Sequence, residues 1–322
     1  MSQLSRRSGG PYSSDNAGIG GLPSIIPDIP ICAVFIAIYI CFAATNQLIF
    51  RTNHRRHHKF VLSLLLFGFS MARIVTLVLR IAWANRQHNI RLAIAAQIFL
   101  NAGILIIYIL NLILAQRILR AMQPQIGWNP VLRTTYKVLY ITIGLSLAMV
   151  ITSVVLSLYT LDTHTRSTCR DIQLAALTYL LIFTCLPLIH IAAAILSSTP
   201  KNVETFGEGT MSSKLIIVSL STCLCMLIAG FKAGITWSAP QPATSPPWYD
   251  SKACFYLFNF TCEVLILSIL TFSRIDKRFF VPDGCKQAGD YTRLRDQDAV
   301  EEKNDPSKLS LGDDRMTRQQ AE

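Results

Sequence analysis

Seven long apolar runs constrain what this 322-residue chain can fold into more than any other feature. A helix needs about 20 mainly apolar residues to cross the hydrocarbon core of a bilayer, and each run has that length. Lipid offers the backbone no hydrogen bonds, and the runs lack the alternation of barrel strands, so the spans are expected to be helices. The sequence predicts an all-α integral membrane protein, a bundle of seven transmembrane helices. The predicted spans are 29–50, 60–83, 93–119, 138–159, 173–197, 214–237 and 253–273.

The distribution of acidic residues supports this prediction. Residues 29–275 contain only six Asp and Glu, whereas 11 of the 19 acidic residues follow position 275. Only 15% of the chain is charged, against about 25% in soluble domains. A stretch so poor in acids cannot cover a water-facing surface. We therefore expect a disordered outer tail over residues 1–28, the seven-helix domain over 29–273, and a largely disordered cytoplasmic tail over 274–322.

Lysines and arginines in the short connections predict the orientation of the bundle. Fourteen flank the odd-numbered connections and the start of the C-terminal tail, and seven lie on the opposite side. Because bases concentrate on the cytoplasmic side, the N-terminus is expected outside and the C-terminus inside. The net charge of +11 is spread over these connections and forms no basic domain, so we expect a lipid bilayer and no nucleic acid as partner. The sequence does not distinguish the plasma membrane from an endomembrane.

Four charged residues lie well inside the predicted spans, away from their cytoplasmic ends. Glu263 is the only carboxylate in any span, and Arg73 shares its depth, about 15 Å from the outer end at 1.5 Å per residue. We predict that these two side chains form an ion pair. Arg80 and Lys232 lie nearer the outer edge, where long side chains can reach water. Such buried charges either stabilise the bundle or bind a ligand or ion, and the sequence leaves both readings open.

Polar residues at helical spacing extend this group into a predicted polar centre. They fall on one face each of spans 2, 3 and 7, and polar side chains in lipid seek partners across helices. The functional reading is a cavity open to the outer side, lined by spans 2, 3, 6 and 7, with a charge of +2 that favours an anionic or lipid headgroup ligand. The candidate centre comprises Arg73, Glu263, Lys232, Arg80, Asn101, Tyr108 and Asn259.

Other residues carry narrower predictions. Pro187 removes a backbone hydrogen bond inside span 5 and should kink that helix. Cys169 and Cys254 share the predicted outer side and are candidates for a disulfide, although spacing alone cannot establish one. Cys285 follows the last span and is a candidate for palmitoylation. The histidines at 54–58 fit a basic loop better than a di-iron box, and no catalytic motif is present, so we expect no metal, no cofactor and no enzyme activity.

Three stretches of sequence resemble a known family. Residues 71–73 (Met-Ala-Arg), 80–85 (Arg-Ile-Ala-Trp-Ala-Asn) and 273–278 (Ser-Arg-Ile-Asp-Lys-Arg) resemble an uncharacterised fungal family of multi-pass proteins, sometimes labelled family C-like G-protein-coupled receptors. The resemblance covers about residues 25–285 and implies a seven-helix receptor-like protein without assigned ligand or active residues. The short outer tail lacks the large ligand-binding domain of family C receptors. Span 3 ends Ala-Gln-Arg without an acid before Arg117, so G-protein coupling is unsupported.

These observations lead to a main hypothesis and an alternative. The main hypothesis is a non-enzymatic, receptor-like membrane protein that binds a small-molecule or lipid ligand at its polar centre. A cytoplasmic signalling partner would then read the change at the basic loops. The alternative is a transporter or lipid translocator that uses the same centre, and an intramembrane enzyme ranks third.

Overall fold

In the computed structural model the chain is a bundle of seven long helices. The structure describes residues 10–12, 16–55, 60–197, 204–282, 284–285 and 287–293, and within these ranges it contains no β-strand. The long helices are α1 Asp28–Arg55, α2 Val61–Asn85, α3 Ile90–Met122, α4 Pro130–Tyr159, α5 Thr163–Leu196, α6 Met211–Trp237 and α7 Lys252–Phe272. All seven are long and apolar enough to cross a membrane, which confirms the predicted all-α bundle of seven helices. The orientation of its ends stays a prediction.

Several helices begin earlier than their apolar runs. Helix α4 begins at Pro130, where the Asn129 side chain accepts a hydrogen bond from the backbone of Val131. Helix α5 begins after Asp162, whose carboxylate caps it by accepting from Thr165. Capping residues determine where a helix starts, whereas apolar length reports only the part that suits lipid. Helices α4 and α5 therefore extend beyond the predicted spans, which begin at 138 and 173.

Helix α3 is the central helix of the bundle. It packs against α2, α4, α5 and α6, while α7 packs against α1 and α6. In its most apolar window 61% of the residues are buried, the highest fraction among the seven helices. Its core positions include Ile107, Leu110 and Leu114, all fully buried. Any residue on α3 that faces the interior is therefore surrounded by protein on several sides.

The outward faces of the helices are apolar as well. On α4, Ile141 and Leu145 are 69% and 59% exposed, and on α7 Phe272 is 76% exposed. Large apolar side chains exposed in such number need lipid or protein to cover them. Apolar surroundings outside and buried charges inside are the arrangement expected of a membrane protein.

One end of the bundle is closed by two segments that pack on each other, and we call it the Asp28 end. Residues 16–27 pair there with residues 238–251, through Ala17 N–H to Gln241 O at 2.8 Å and Gly20 N–H to Asp250 O at 2.9 Å. Gly20 has a φ of +78°, and an added Cβ would lie 2.6 Å from the Phe255 ring. The structure thus differs from the disordered tail expected over residues 1–28, because residues 16–27 make these contacts. Residues 1–9 and 13–15 lie outside the described part.

The opposite end, which we call the Arg274 end, is closed by the chain that follows α7. A short helix Ile275–Arg278 leads to a segment whose Tyr291 is buried against Trp128 and Phe206. The Glu204 carboxylate accepts hydrogen bonds from the backbone of Gly289 at 2.8 Å and Tyr291 at 3.1 Å. Here too the structure differs from the expected disorder, because apolar and backbone contacts hold the chain as far as residue 293. Residues 294–322 lie outside the described part.

Candidate functional site

Arg73 and Glu263 form a bidentate ion pair between α2 and α7, which confirms their predicted pairing. The distances are 2.5 Å for Nε–Oε2 and 2.6 Å for Nη2–Oε1, and neither side chain is exposed. The remaining donor, Nη1, binds the α3 carbonyl of Leu100 at 3.0 Å, and the Tyr39 hydroxyl donates to Oε2 at 3.4 Å. Through these hydrogen bonds the pair connects α1, α2, α3 and α7.

The close approach of α3 to this pair depends on a glycine. A Cβ at Gly103 would lie 3.0 Å from Nη1 of Arg73. The guanidinium therefore lies directly against the α3 backbone, which lets Nη1 reach the Leu100 carbonyl. Small residues allow such approaches between membrane helices.

Arg80 belongs to a second ionic cluster at the Asp28 end. Its Nη2 lies 2.9 Å from Asp28 Oδ1, and the other carboxylate oxygen lies 2.6 Å from Lys252 Nζ. The Tyr256 hydroxyl also donates to Oδ1, at 2.6 Å. The prediction that Arg80 reaches out to water was wrong, because Asp28 offers a buried carboxylate at the start of α1. The sequence signal was present, since Asp28 directly precedes the first apolar run.

Lys232 is buried without a hydrogen-bonding partner. Its side chain is 6% exposed, and among the described residues nothing lies within hydrogen-bonding distance of its Nζ. Its ammonium interacts electrostatically with both Arg73 and Glu263. The prediction that Lys232 reaches the outer edge was wrong, because α3 and α5 pack around α6 and bury it. With these three groups ionised, the centre carries one positive charge in excess, not the predicted two, since Arg80 is matched by Asp28.

A small cavity of about 20 Å³ lies beside Lys232. It is formed by α3, α4, α5 and α6, and its lining includes Asn101 and Tyr108 on α3, Leu147 on α4 and Leu177 on α5. The prediction that spans 2, 3, 6 and 7 line the cavity was therefore wrong, because α4 and α5 stand where spans 2 and 7 were expected. Depth along each helix indicates which residues share a level, but it does not indicate which helices are neighbours. Asn101, Tyr108 and Lys232 meet at the cavity, whereas Arg73, Arg80, Glu263 and Asn259 are not among its lining residues.

Helix α7 is interrupted just before Glu263. A π-helical turn spans Leu257–Thr261, and Thr261 Oγ1 donates to the carbonyl of Tyr256 five residues earlier. Asn259 lies in this turn and donates to Phe255 O at 3.1 Å, but its buried Oδ1 accepts nothing from the described residues. On α3, Asn111 is similar: its Nδ2 donates to Cys225 Sγ, and its buried Oδ1 likewise accepts nothing from the described part of the chain. π-Turns often occur at functional sites.

Of the three narrower predictions, the structure tests only the disulfide. Pro187 lies buried inside α5 as expected, and the kink stays a prediction. Cys169 and Cys254 are both free, so the candidate disulfide is not formed. The reason is their position: Cys169 lies on α5, which packs on α3, α4 and α6, while Cys254 lies in the first turn of α7, which packs on α1 and α6. Palmitoylation of Cys285 also stays a prediction.

The Arg274 end contains buried polar contacts that the sequence did not indicate. Arg117 of α3 donates to the carbonyl of Phe279, and Lys214 of α6 donates to that of Phe206. Asp276 accepts from Asn53 at 3.1 Å and from Arg274 at 3.0 Å. Burial alone would raise the pKa of Asp276, but these hydrogen bonds outweigh it and lower the pKa below its usual range. This end is thus tied to α1, α3 and α6.

Within the described ranges, no three His, Cys, Asp or Glu side chains lie close enough to hold a metal ion. Part of the histidine-rich stretch, residues 56–58, lies outside these ranges. The fold and these contacts define a multi-pass membrane protein of seven helices with a polar interior.

Comparisons with known proteins add one partial match. Residues 208–280, which include α6 and α7, match a family described as "Protein of unknown function (DUF3112)". No curated protein and no solved structure matches the chain. The matched stretch contains Lys232, Asn259 and Glu263. Nothing in the comparisons connects the chain with the fungal receptor-like family, so that resemblance stays a prediction.

Proposed function

We propose that this chain is a non-enzymatic, receptor-like membrane protein that binds an anionic ligand beside Lys232 and reports binding at the Arg274 end. The observation that carries the proposal is the buried ammonium of Lys232, which lacks a hydrogen-bonding partner among the described residues and lines a cavity. A buried charge without a partner is costly, so a ligand of opposite charge would stabilise the bundle. The base count supports placing the Arg274 end in the cytoplasm, where a signalling partner could read it.

Two helices connect the cavity with the Arg274 end. Helix α3 carries Asn101 and Tyr108 at the cavity and Arg117 at the Phe279 carbonyl. Sixteen residues of helix separate Asn101 from Arg117, or about 24 Å at 1.5 Å per residue. Helix α6 carries Lys232 at the cavity and Lys214 at the Phe206 carbonyl. A ligand that shifts α3 against α6 would therefore act on both contacts that hold the Arg274 end closed.

Hydrogen–deuterium exchange tests this proposal. The purified chain would be placed in nanodiscs, and chloride, acetate, butyrate and glycerol phosphate would be added one at a time. We expect at least one of these anions to change exchange in residues 204–208 and 277–293, with no change in Lys232→Met. If none of them alters exchange at this end, the receptor proposal is wrong.

A transporter or lipid translocator is the second candidate, and the interruption of α7 favours it. Transporters often place irregular helix turns at their binding sites, and the π-turn Leu257–Thr261 lies one turn before Glu263. Liposomes that contain only this chain separate the two functions. Movement of the same anions or of a labelled phospholipid across the bilayer, lost in Lys232→Met, would support transport and contradict the receptor role.

A further inference from the structure

We propose that the cavity beside Lys232 binds one small monovalent anion of about the size of chloride. The inference rests on the proposed function for the ligand's charge and narrows its class to an inorganic ion. It follows from three features of the site: an unmatched positive charge, a cavity of limited size, and polar groups on the facing helix.

The unmatched positive charge is that of Lys232, because Glu263 is already paired with Arg73. Both of its carboxylate oxygens accept from Arg73, and Oε2 also accepts from Tyr39. Glu263 is thus already paired with Arg73, and no hydrogen bond joins it to the Lys232 ammonium. Asp28, at the start of α1, is already shared by Arg80, Lys252 and Tyr256. An anion would supply the negative charge that the surrounding protein does not.

The size of the cavity limits what can bind. The cavity volume of about 20 Å³ is somewhat more than the roughly 10–15 Å³ that one water needs. A space of this size favours a halide over a carboxylate with an alkyl chain or a lipid phosphate. Much of the wall is apolar, including Leu147 and Leu177. Such a wall offers a bound oxyanion few donors and suits a spherical ion.

The polar groups at the cavity can hold an anion. Asn101 and Tyr108 lie on α3 two helical turns apart, and both line the space. A phenol O–H and an amide N–H are donors suited to a halide. The ammonium of Lys232 ends a flexible four-carbon stem, so it can turn toward an ion in the cavity that this side chain lines. Together they provide one charge and two dipoles around a single small site.

Binding of radioactive chloride to the purified full-length chain tests the inference. We expect saturable binding of one chloride per chain, competition by bromide, and no competition by isethionate, whose sulfonate is too large. Lys232→Met should lower the affinity at least tenfold. Lys137→Met, the same substitution at an exposed lysine of α4, should leave it unchanged. Absence of saturable binding to the native chain, or equal binding in Lys232→Met, would overturn the inference.

Two further variants keep the test decisive if Lys232→Met does not fold. Tyr108→Phe and Asn101→Leu each remove one polar group and keep the lysine, and we expect each to weaken chloride binding several-fold. Unchanged affinity in both would contradict the assigned site.

The outcome of this experiment can be distinguished from a failure of the receptor proposal. Chloride binding without altered exchange at the Arg274 end would refute the receptor role alone, and an exchange response to a larger anion without chloride binding would refute only this inference.

Discussion

Arg73 and Glu263 direct their hydrogen bonds to each other and to their immediate neighbours. Removing either partner leaves the other as an uncompensated charge in the interior, which typically costs about 3–5 kcal/mol. We therefore expect Arg73→Ala and Glu263→Ala each to lower the stability of the bundle by about this amount. The double variant should cost clearly less than the sum of the two. Thermal unfolding of the native chain, the two single variants and the double variant in detergent measures these differences.

The exposed Arg86 provides a control for loss of positive charge, because it lies in the connection after α2. Arg86→Ala should change the unfolding temperature little, since exposed charges contribute little to stability. If the losses from Arg73→Ala and Glu263→Ala simply add, the two side chains do not stabilise each other.

The two arginines of α2 show what depth along a helix can predict. Arg73 and Glu263 share a level, so their pairing could be predicted from counting residues. Arg80 also has a carboxylate at its own level, but Asp28 directly precedes the first apolar run and looks like part of the polar tail. The same polarity that excludes a residue from a predicted span makes it a suitable partner for a buried base. Residues at span boundaries therefore belong in any search for ion pairs.

At the level of elements, the contact between α2 and α3 depends on the absence of a side chain at Gly103. A Cβ there would meet the Arg73 guanidinium at 3.0 Å, and Arg73 cannot easily move because Glu263 and Leu100 hold it. We expect Gly103→Ala to cost about 1–3 kcal/mol, as overpacking does. Gly144→Ala on α4 is the matched control, because its Cβ would meet nothing within 4 Å. That change should be neutral or stabilise by up to about 1 kcal/mol through helix propensity. Equal effects in thermal unfolding would contradict the close approach.

Two aspartates outside the spans predict opposite responses to pH. Burial raises the pKa of Asp250, and its Oδ1 accepts nothing from the described residues. The side-chain and backbone hydrogen bonds from Thr165 lower the pKa of Asp162, which caps α5. The folded state therefore favours protonated Asp250 and ionised Asp162. Asp250 contributes stability below its unfolded pKa that is lost as pH rises through its folded pKa, whereas Asp162 contributes stability above its unfolded pKa that is lost as pH falls.

Substitution by asparagine tests these signs. At pH 7 we expect Asp250→Asn to raise the unfolding temperature, because ionised Asp250 is disfavoured in the folded protein. We expect Asp162→Asn to lower it, because the charged cap is lost. Both differences should shrink as pH approaches and passes below 3.8, the ordinary value for an aspartate. An unfolding temperature for Asp250→Asn below that of the native chain at pH 7 would show that its carboxylate has a partner.

The sequence predicts the helices better than it predicts their neighbours. Apolar length identifies all seven spans, since lipid leaves few alternatives. The cavity is formed by α3, α4, α5 and α6 because α3 occupies the centre, and no periodicity in a single helix reports which helix is central. The π-turn in α7 escapes prediction for a similar reason. Residues 257–261 contain no proline or glycine that would mark an interruption of the helix.

At the scale of the whole molecule, the proposed signalling role depends on which end faces the cytoplasm. The base count predicts that the Asp28 end is outside and the Arg274 end inside. At the Arg274 end, the segment that begins at residue 204 contacts the segment that follows α7. The Glu204 carboxylate accepts a hydrogen bond there from the backbone of Tyr291. A cytoplasmic partner can read a change in this contact only if the predicted orientation holds. Orientation is therefore the next property to measure.

Engineered glycosylation sites can determine the orientation, because Asn-X-Ser/Thr acceptors are modified only on the lumenal or outer side. Pro242→Asn creates such an acceptor with Thr244 in the connection before α7, and Glu208→Asn creates one with Thr210 before α6. We expect glycosidase-sensitive modification with Pro242→Asn and none with Glu208→Asn in cells. The native Asn259-Phe-Thr261 should stay unmodified because it lies within α7. Modification with Glu208→Asn alone would invert the orientation and place the closed Arg274 end outside, which would contradict a cytoplasmic reader.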